Sequence, residues 1–308
     1  MNTENQTMVT EFILIGFSNF PSLQIPLFTM FFLMYLITLA GNIILMIIIS
    51  VDHTLHIPMY FFLSILSFSG TCYTFVVIPN MLVNLLTEKK TISFTGCATQ
   101  MFFFISFGGT NCMLLAAMAY DRYVAICKPL HYHILMNQKV RVQLVAFSVV
   151  TGFVLSLIDT YFIFRLPVCG INKINHFFCD MAPVIKISCT DNNVIEIVIF
   201  IFCVVVVFGS FLLILLSYLF ILITILQIPT AEGKQKAFST CTSHLIVVIV
   251  HFGCASIIYL RPKSTYSLDK DTLISVTYTV VTPLLNPMVY SLRNKDVQIA
   301  LRKALGRT

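Results

Sequence analysis

Apolar residues in this chain fall into long blocks. Seven can be read, at about 27–51, 59–86, 98–127, 142–164, 194–226, 238–260 and 273–292. Each is at or above the roughly 20 residues a helix needs to cross the hydrocarbon core of a membrane. Most polar connections between them are short. The exception is 165–193, which carries three cysteines; long ordered loops are usually functional, and a lid over a pocket is the natural use of this one. After the last block, 293–305 alternates charged and apolar residues at helical spacing, which predicts a short amphipathic helix on the membrane surface. The predicted fold class is therefore all-α: one seven-transmembrane helix bundle across residues 1–308, with an amphipathic C-terminal helix.

Composition agrees. The 308 residues are 58% hydrophobic and 10% charged, where an ordinary domain has about 25% charged. Residues 1–24 contain no Lys or Arg, so the first span is expected to serve as its own targeting signal. Seven spans put the termini on opposite sides, and charge chooses which. With the N-terminus outside, eleven of the 19 basic residues and four acids lie inward, against eight basic residues and nine acids outward. The positive-inside rule favours that orientation. An anionic inner leaflet accounts for the basic balance, so membrane lipids are expected partners and nucleic acid is not.

Two placements fit this topology. The Asn5-Gln6-Thr7 glycosylation triplet falls at the outer terminus. Cys97, Cys169, Cys179 and Cys189 fall on the outer side, where disulfides form. Four cysteines allow three connectivities, and spacing does not choose among them.

One pair of charges stands out. Asp121 and Arg122 lie at the end of the third block, where charge costs roughly 2.5–3.5 kcal/mol per residue at a helix centre. From Cys97 to Arg122 is 25 residues, or about 37 Å of helix. With Cys97 at the outer surface, Arg122 reaches the inner one. Unaided, the pair also reads as two interfacial charges reaching for water.

The flanking residues decide the matter. The run Met118–Cys127 with Lys128-Pro-Leu-His-Tyr132 closely resembles the signature of odorant receptors, a branch of the rhodopsin-like G-protein-coupled receptors. Gly41-Asn42 in the first span and Leu55-His-Ile-Pro-Met-Tyr-Phe-Phe-Leu-Ser64 at the second match it too. So do Ser217-Tyr218, Lys236-Ala-Phe-Ser-Thr-Cys-Thr-Ser-His-Leu245 and Pro283-Leu-Leu-Asn-Pro-Met-Val-Tyr-Ser-Leu-Arg-Asn294, in order along almost the whole chain.

The resemblance implies a receptor at the plasma membrane that binds a small odorant and activates a stimulatory G protein to raise cyclic AMP, without a cofactor. It implies an activation switch in which Asp121 holds Arg122 until Arg122 is released toward Tyr218, with Asn286, Pro287 and Tyr290 as the mobile segment of span seven. It implies disulfides Cys97–Cys179 and Cys169–Cys189. It places the ligand among Phe104, Ile105, Gly108, Phe202, Cys203, Val206, Ser256, Tyr259 and Thr279. Where amine receptors carry a counter-ion this chain has Phe104, which favours neutral, hydrophobic ligands. His176-Phe-Phe-Cys-Asp180 has metal-binding residue types, but a disulfide at Cys179 leaves no thiolate, so no metal is expected.

The chain departs from the family at four places. Gly70 and Asn111 stand where two acids usually form a buried cation site, so sodium is expected not to modulate it. His251-Phe252-Gly253 lacks the tyrosine hydroxyl of the span-six pattern, and Val149 replaces a tryptophan. Asp159, near the outer end of span four, either reaches the interface and is solvated, the favoured expectation, or faces the bundle and tunes ligand choice. A transporter or channel is the rival class, but it needs polar residues along a path through the midplane, and this chain has fewer than its relatives. For an enzyme, no His-Glu-x-x-His or Gly-x-Ser-x-Gly constellation occurs.

Overall fold

The computed structural model describes residues 9–17, 21–168, 172–188, 193–259, 274–304 and 306. The apolar blocks form helices α1 (Gln24–Val51), α2 (Pro58–Leu86), α3 (Phe94–Cys127) and α4 (Gln138–Phe164). Helix α5 is a stack of three segments: α-helical Asn193–Phe202, a π segment at Cys203–Phe208, and α-helical Gly209–Gln227. Helix α6 is Ala231–Tyr259. Residues 274–293 form α7, with a π segment at Thr277–Val281 before Thr282–Arg293. Six of these helices are individually long and apolar enough to cross a membrane among the described residues.

Local chemistry sets several boundaries. Pro58 opens α2, where its missing N–H costs nothing. The Ser93 hydroxyl accepts from Gly96 N at 3.0 Å to start α3, and the Asn137 side chain accepts from Val140 N at 3.0 Å to start α4. Helix α3 is the central pillar. In its most apolar window 78% of residues are buried, against 22% for α4 and 28% for α1. The outer helices turn side chains such as Leu33, Ile37, Phe147, Leu157 and Leu212 away from the protein. That pattern suits lipid, where every backbone group must be satisfied inside the helix. Glycine permits one close crossing: a Cβ at Gly41 of α1 would stand 3.0 Å from the Pro287 ring of α7.

The amphipathic helix α8 (Lys295–Ala304) follows α7. It buries Val297 and Ala300 and exposes Ile299. The Tyr60 hydroxyl lies 3.0 Å from both Asn294 Oδ1 and Asp296 Oδ2, and Lys303 Nζ lies 3.9 Å from Asp52, so α8 is moored to the start of α2 and the end of α1.

At the opposite end of the bundle is a small sheet that the block pattern does not announce. Strand β1 (Glu11–Leu14) lies between β2 (Thr91–Ser93), antiparallel, and β3 (Lys173–Ile174), parallel. The N-terminal segment thus threads between two connections. Phe12 and Leu14 are fully buried there. The turn after β1 needs glycine: Gly16 has φ +42°, and its Cβ position is 3.1 Å from Phe177 Cα.

Candidate ligand cavity and switch

The lid is the long connection between α4 and α5. Cys97 at the start of α3 is disulfide-bonded to Cys179, with Cα atoms 5.4 Å apart. Gln100, one turn beyond Cys97 on α3, donates to the Val76 carbonyl of α2 and accepts from Cys179 N, each at 3.0 Å. His176, Phe177 and Phe178 are buried beneath, with His176 stacked on Phe177 at 4.6 Å. Burial lowers the His176 imidazole pKa to about 4 and raises the Asp180 carboxyl to about 6. Cys169 and Cys189 lie outside the described residues; beside them, Val168 and Ser188 form an antiparallel bridge. Asn5 also lies outside.

Beneath the lid, a small cavity of about 20 Å³ lies between α3, α5, α6, α7 and Met181 of the lid. Of the nine residues named from the sequence, Phe104, Ile105, Gly108, Phe202 and Val206 line it. Cys203 is buried in the adjoining wall without lining the cavity. Thr279 is buried with its hydroxyl donated to Ser275 O at 2.7 Å, and Ser256 is partly buried. The Tyr259 side chain lies outside the described residues. Gly109, Cys112, Met181, Val207, Ala255 and Tyr278 also line the space, unnamed from the sequence. Both π segments contribute, through Val206, Val207 and Tyr278. A π turn shifts the facing of every later side chain, a displacement that residue spacing does not reveal.

Asp159 corrects an expectation. It is 2% exposed, and its Oδ2 has no hydrogen-bond partner among the described residues. The reason is helical phase. Ser148, Gly152, Ser156, Asp159 and Ile163 share one face of α4, and that whole face is buried. Glycine at position 152 allows close contact with α3: a Cβ there would stand 2.7 Å from Thr110 Oγ1.

At the other end of α3, Asp121 is 1% exposed and accepts a hydrogen bond from the Tyr132 hydroxyl at 2.9 Å. Tyr132 belongs to the one-turn helix Tyr132–Leu135 of the α3–α4 connection. Burial, together with the adjacent Asp121 carboxylate, raises the pKa of its phenol. Adjacent helix residues do not face each other, and Asp121 turns toward this connection. Arg122 Nε is buried without a hydrogen-bond partner among the described residues, as are Asn286 Oδ1 and Tyr290 Oη. Tyr218, Tyr290 and Cys241 lie within electrostatic reach of Arg122.

Tyr218 is engaged elsewhere. Its hydroxyl lies 2.8 Å from His244 Nδ1, and His244 Nε2 lies 3.1 Å from the Leu115 carbonyl. A carbonyl only accepts, so Nε2 carries the proton and Nδ1 accepts from Tyr218. This neutral, fully buried imidazole ties α5 to α3 through α6. Sequence reasoning quoted His244 inside a motif but gave it no role. The available signal was its spacing from His251: seven residues, two turns, one face.

A central helix, a lid clamped to its start, a cavity beneath and a charged pair at its far end define a seven-helix receptor bundle of the rhodopsin type. The fold superposes on squid rhodopsin with a TM-score of 0.71, covering 93% of this chain and 86% of that one at 16% identity. The olfactory receptor family model matches residues 31–307. Olfactory receptor 10T2 of Homo sapiens is 58% identical over 300 residues, 97% of this chain and 95% of that protein. Olfactory receptor 10R2 of Homo sapiens is 58% identical over 304 residues, 99% and 91% respectively. The chain belongs to the olfactory receptor family of G-protein-coupled receptors, multi-pass membrane proteins that are not enzymes.

Proposed function

We propose that this receptor binds a small, neutral, largely hydrophobic volatile molecule in the cavity beneath the lid. In response it activates a stimulatory heterotrimeric G protein and raises cyclic AMP. It sits in the plasma membrane with the lid, Asn5 and the N-terminus outside, and with Arg122 and α8 in the cytoplasm. The observation that carries this reading is the lining: Phe104, Ile105, Phe202, Val206, Val207 and Ala255 wall an apolar space beneath the lid, the composition typical of small-molecule sites. A ligand of roughly ten heavy atoms gaining ~0.7 kcal/mol per atom would bind with a dissociation constant near 10 μM.

The ligand shifts the receptor only by preferring one of its two states. The state described here has Tyr218 bonded to His244, leaving Arg122 Nε and Tyr290 Oη with unused bonding capacity. In the active state Tyr218 exchanges His244 for Arg122, and α6 leaves α3 to admit the G protein. The test is a panel of volatile compounds applied to cells expressing the receptor. Concentration-dependent cyclic AMP, absent from mock-transfected cells, supports the reading. Uptake of the compounds without signalling would place the protein with transporters.

A further inference from the structure

We propose that Cys112 and His251 form the polar floor of the ligand cavity. They select ligands that carry a hydrogen-bond-accepting oxygen on an apolar body, aldehydes and ketones above all. The proposal rests on the cavity reading above and adds the chemical class. Cys112 Sγ lies 3.2 Å from His251 Nε2, joining α3 to α6 across 139 residues of sequence. Both side chains are buried, and Cys112 lines the cavity.

Small residues line the way down to the pair. Gly108 precedes Cys112 by one turn on α3, and Ala255 follows His251 by one turn on the antiparallel α6. Both small residues line the cavity on its lid side of the pair. The other polar lining group is Tyr278, whose hydroxyl lies beside Gly108, on the lid side of the pair. A ligand oxygen that passes it meets Cys112 and His251 at the floor. In the tautomer with its proton on Nε2, the imidazole has the thiol sulfur as a weak acceptor, and a carbonyl oxygen displaces the thiol from that N–H. The neutral imidazole keeps one hydrogen bond while α6 loses its tie to α3. Two turns further along the same face of α6, His244 holds the Leu115 carbonyl and Tyr218. Exchange at the floor thus acts on the face that carries the switch.

The test uses the full receptor at matched surface expression. Its probes are aldehydes, ketones, alcohols and hydrocarbons on the same skeletons of about six to ten carbons, a size its expected affinity allows. In the wild type, carbonyl compounds should be at least about tenfold more potent than their hydrocarbons. His251→Phe keeps a ring but no donor, and Cys112→Ala removes the thiol. Both should raise ligand-free signalling, and His251→Phe should erase the carbonyl preference. Cys112→Ser and His251→Gln, which keep polar partners and guard against simple misfolding, should retain that preference. An unchanged preference and wild-type ligand-free signalling in His251→Phe overturn the proposal while the receptor reading stands. A surface-expressed wild type silent to the whole panel overturns both.

Discussion

Single atoms set the balance of this receptor. His244 is held by two hydrogen bonds, one from the Tyr218 hydroxyl and one to the Leu115 carbonyl. A typical bond of this kind contributes about 0.5–1.5 kcal/mol net, enough to shift a two-state equilibrium roughly two- to tenfold. Tyr218→Phe and His244→Phe should each raise ligand-free signalling at matched surface level. Because they break one network, the double variant should do little more than His244→Phe alone. Additive increases would show that the two side chains act separately. At the two positions where the family resemblance implies acids, the chain has Gly70, whose Cβ position is open, and Asn111, buried with Oδ1 unpartnered among the described residues. Neither supplies the carboxylate a desolvated sodium ion needs. Agonist potency should be the same in sodium and choline chloride at equal ionic strength; a sodium-specific shift would contradict this.

Among the elements, the lid carries opposed titrations. Asp180 is raised to about 6 in the folded lid, so the stability it contributes is present below its unfolded pKa near 3.8 and is lost as pH rises through 6. His176 is depressed to about 4, so its contribution is present above its unfolded pKa near 6.5 and is lost as pH falls toward 4. In the wild type the two slopes oppose each other between about pH 4 and 6. Asp180→Asn leaves only histidine, and thermal stability of the purified receptor should rise with pH across that window. His176→Gln should reverse the slope. Parallel, flat profiles in both variants would remove these groups from the lid's energetics.

How much of each element the sequence discloses follows from its physics. Seven helices are legible because a lipid-crossing helix needs a long apolar run, and α8 because its two faces differ. The sheet is not legible, since β1 spans only Glu11–Leu14 and its partners lie far along the chain. The π segments are invisible in composition, so the cavity residues they re-aim, Val207 and Tyr278, go unnamed. Asp159 misleads because charge near a helix end suggests solvent, whereas its helical phase carries it into the bundle.

Across the whole molecule, the cavity and the charged pair occupy opposite ends of α3, and α6 runs beside it between them. Among the described residues, the polar ties between these helices use histidines of α6: His251 to Cys112 and His244 to Leu115. The central claim is that ligand binding under the lid is read out through Arg122. The most direct measurement is ligand-evoked cyclic AMP in wild type and Arg122→Ala at equal surface expression, with ligand binding followed in parallel. The account predicts that Arg122→Ala still binds the ligand but evokes no cyclic AMP. Undiminished signalling from Arg122→Ala would contradict it.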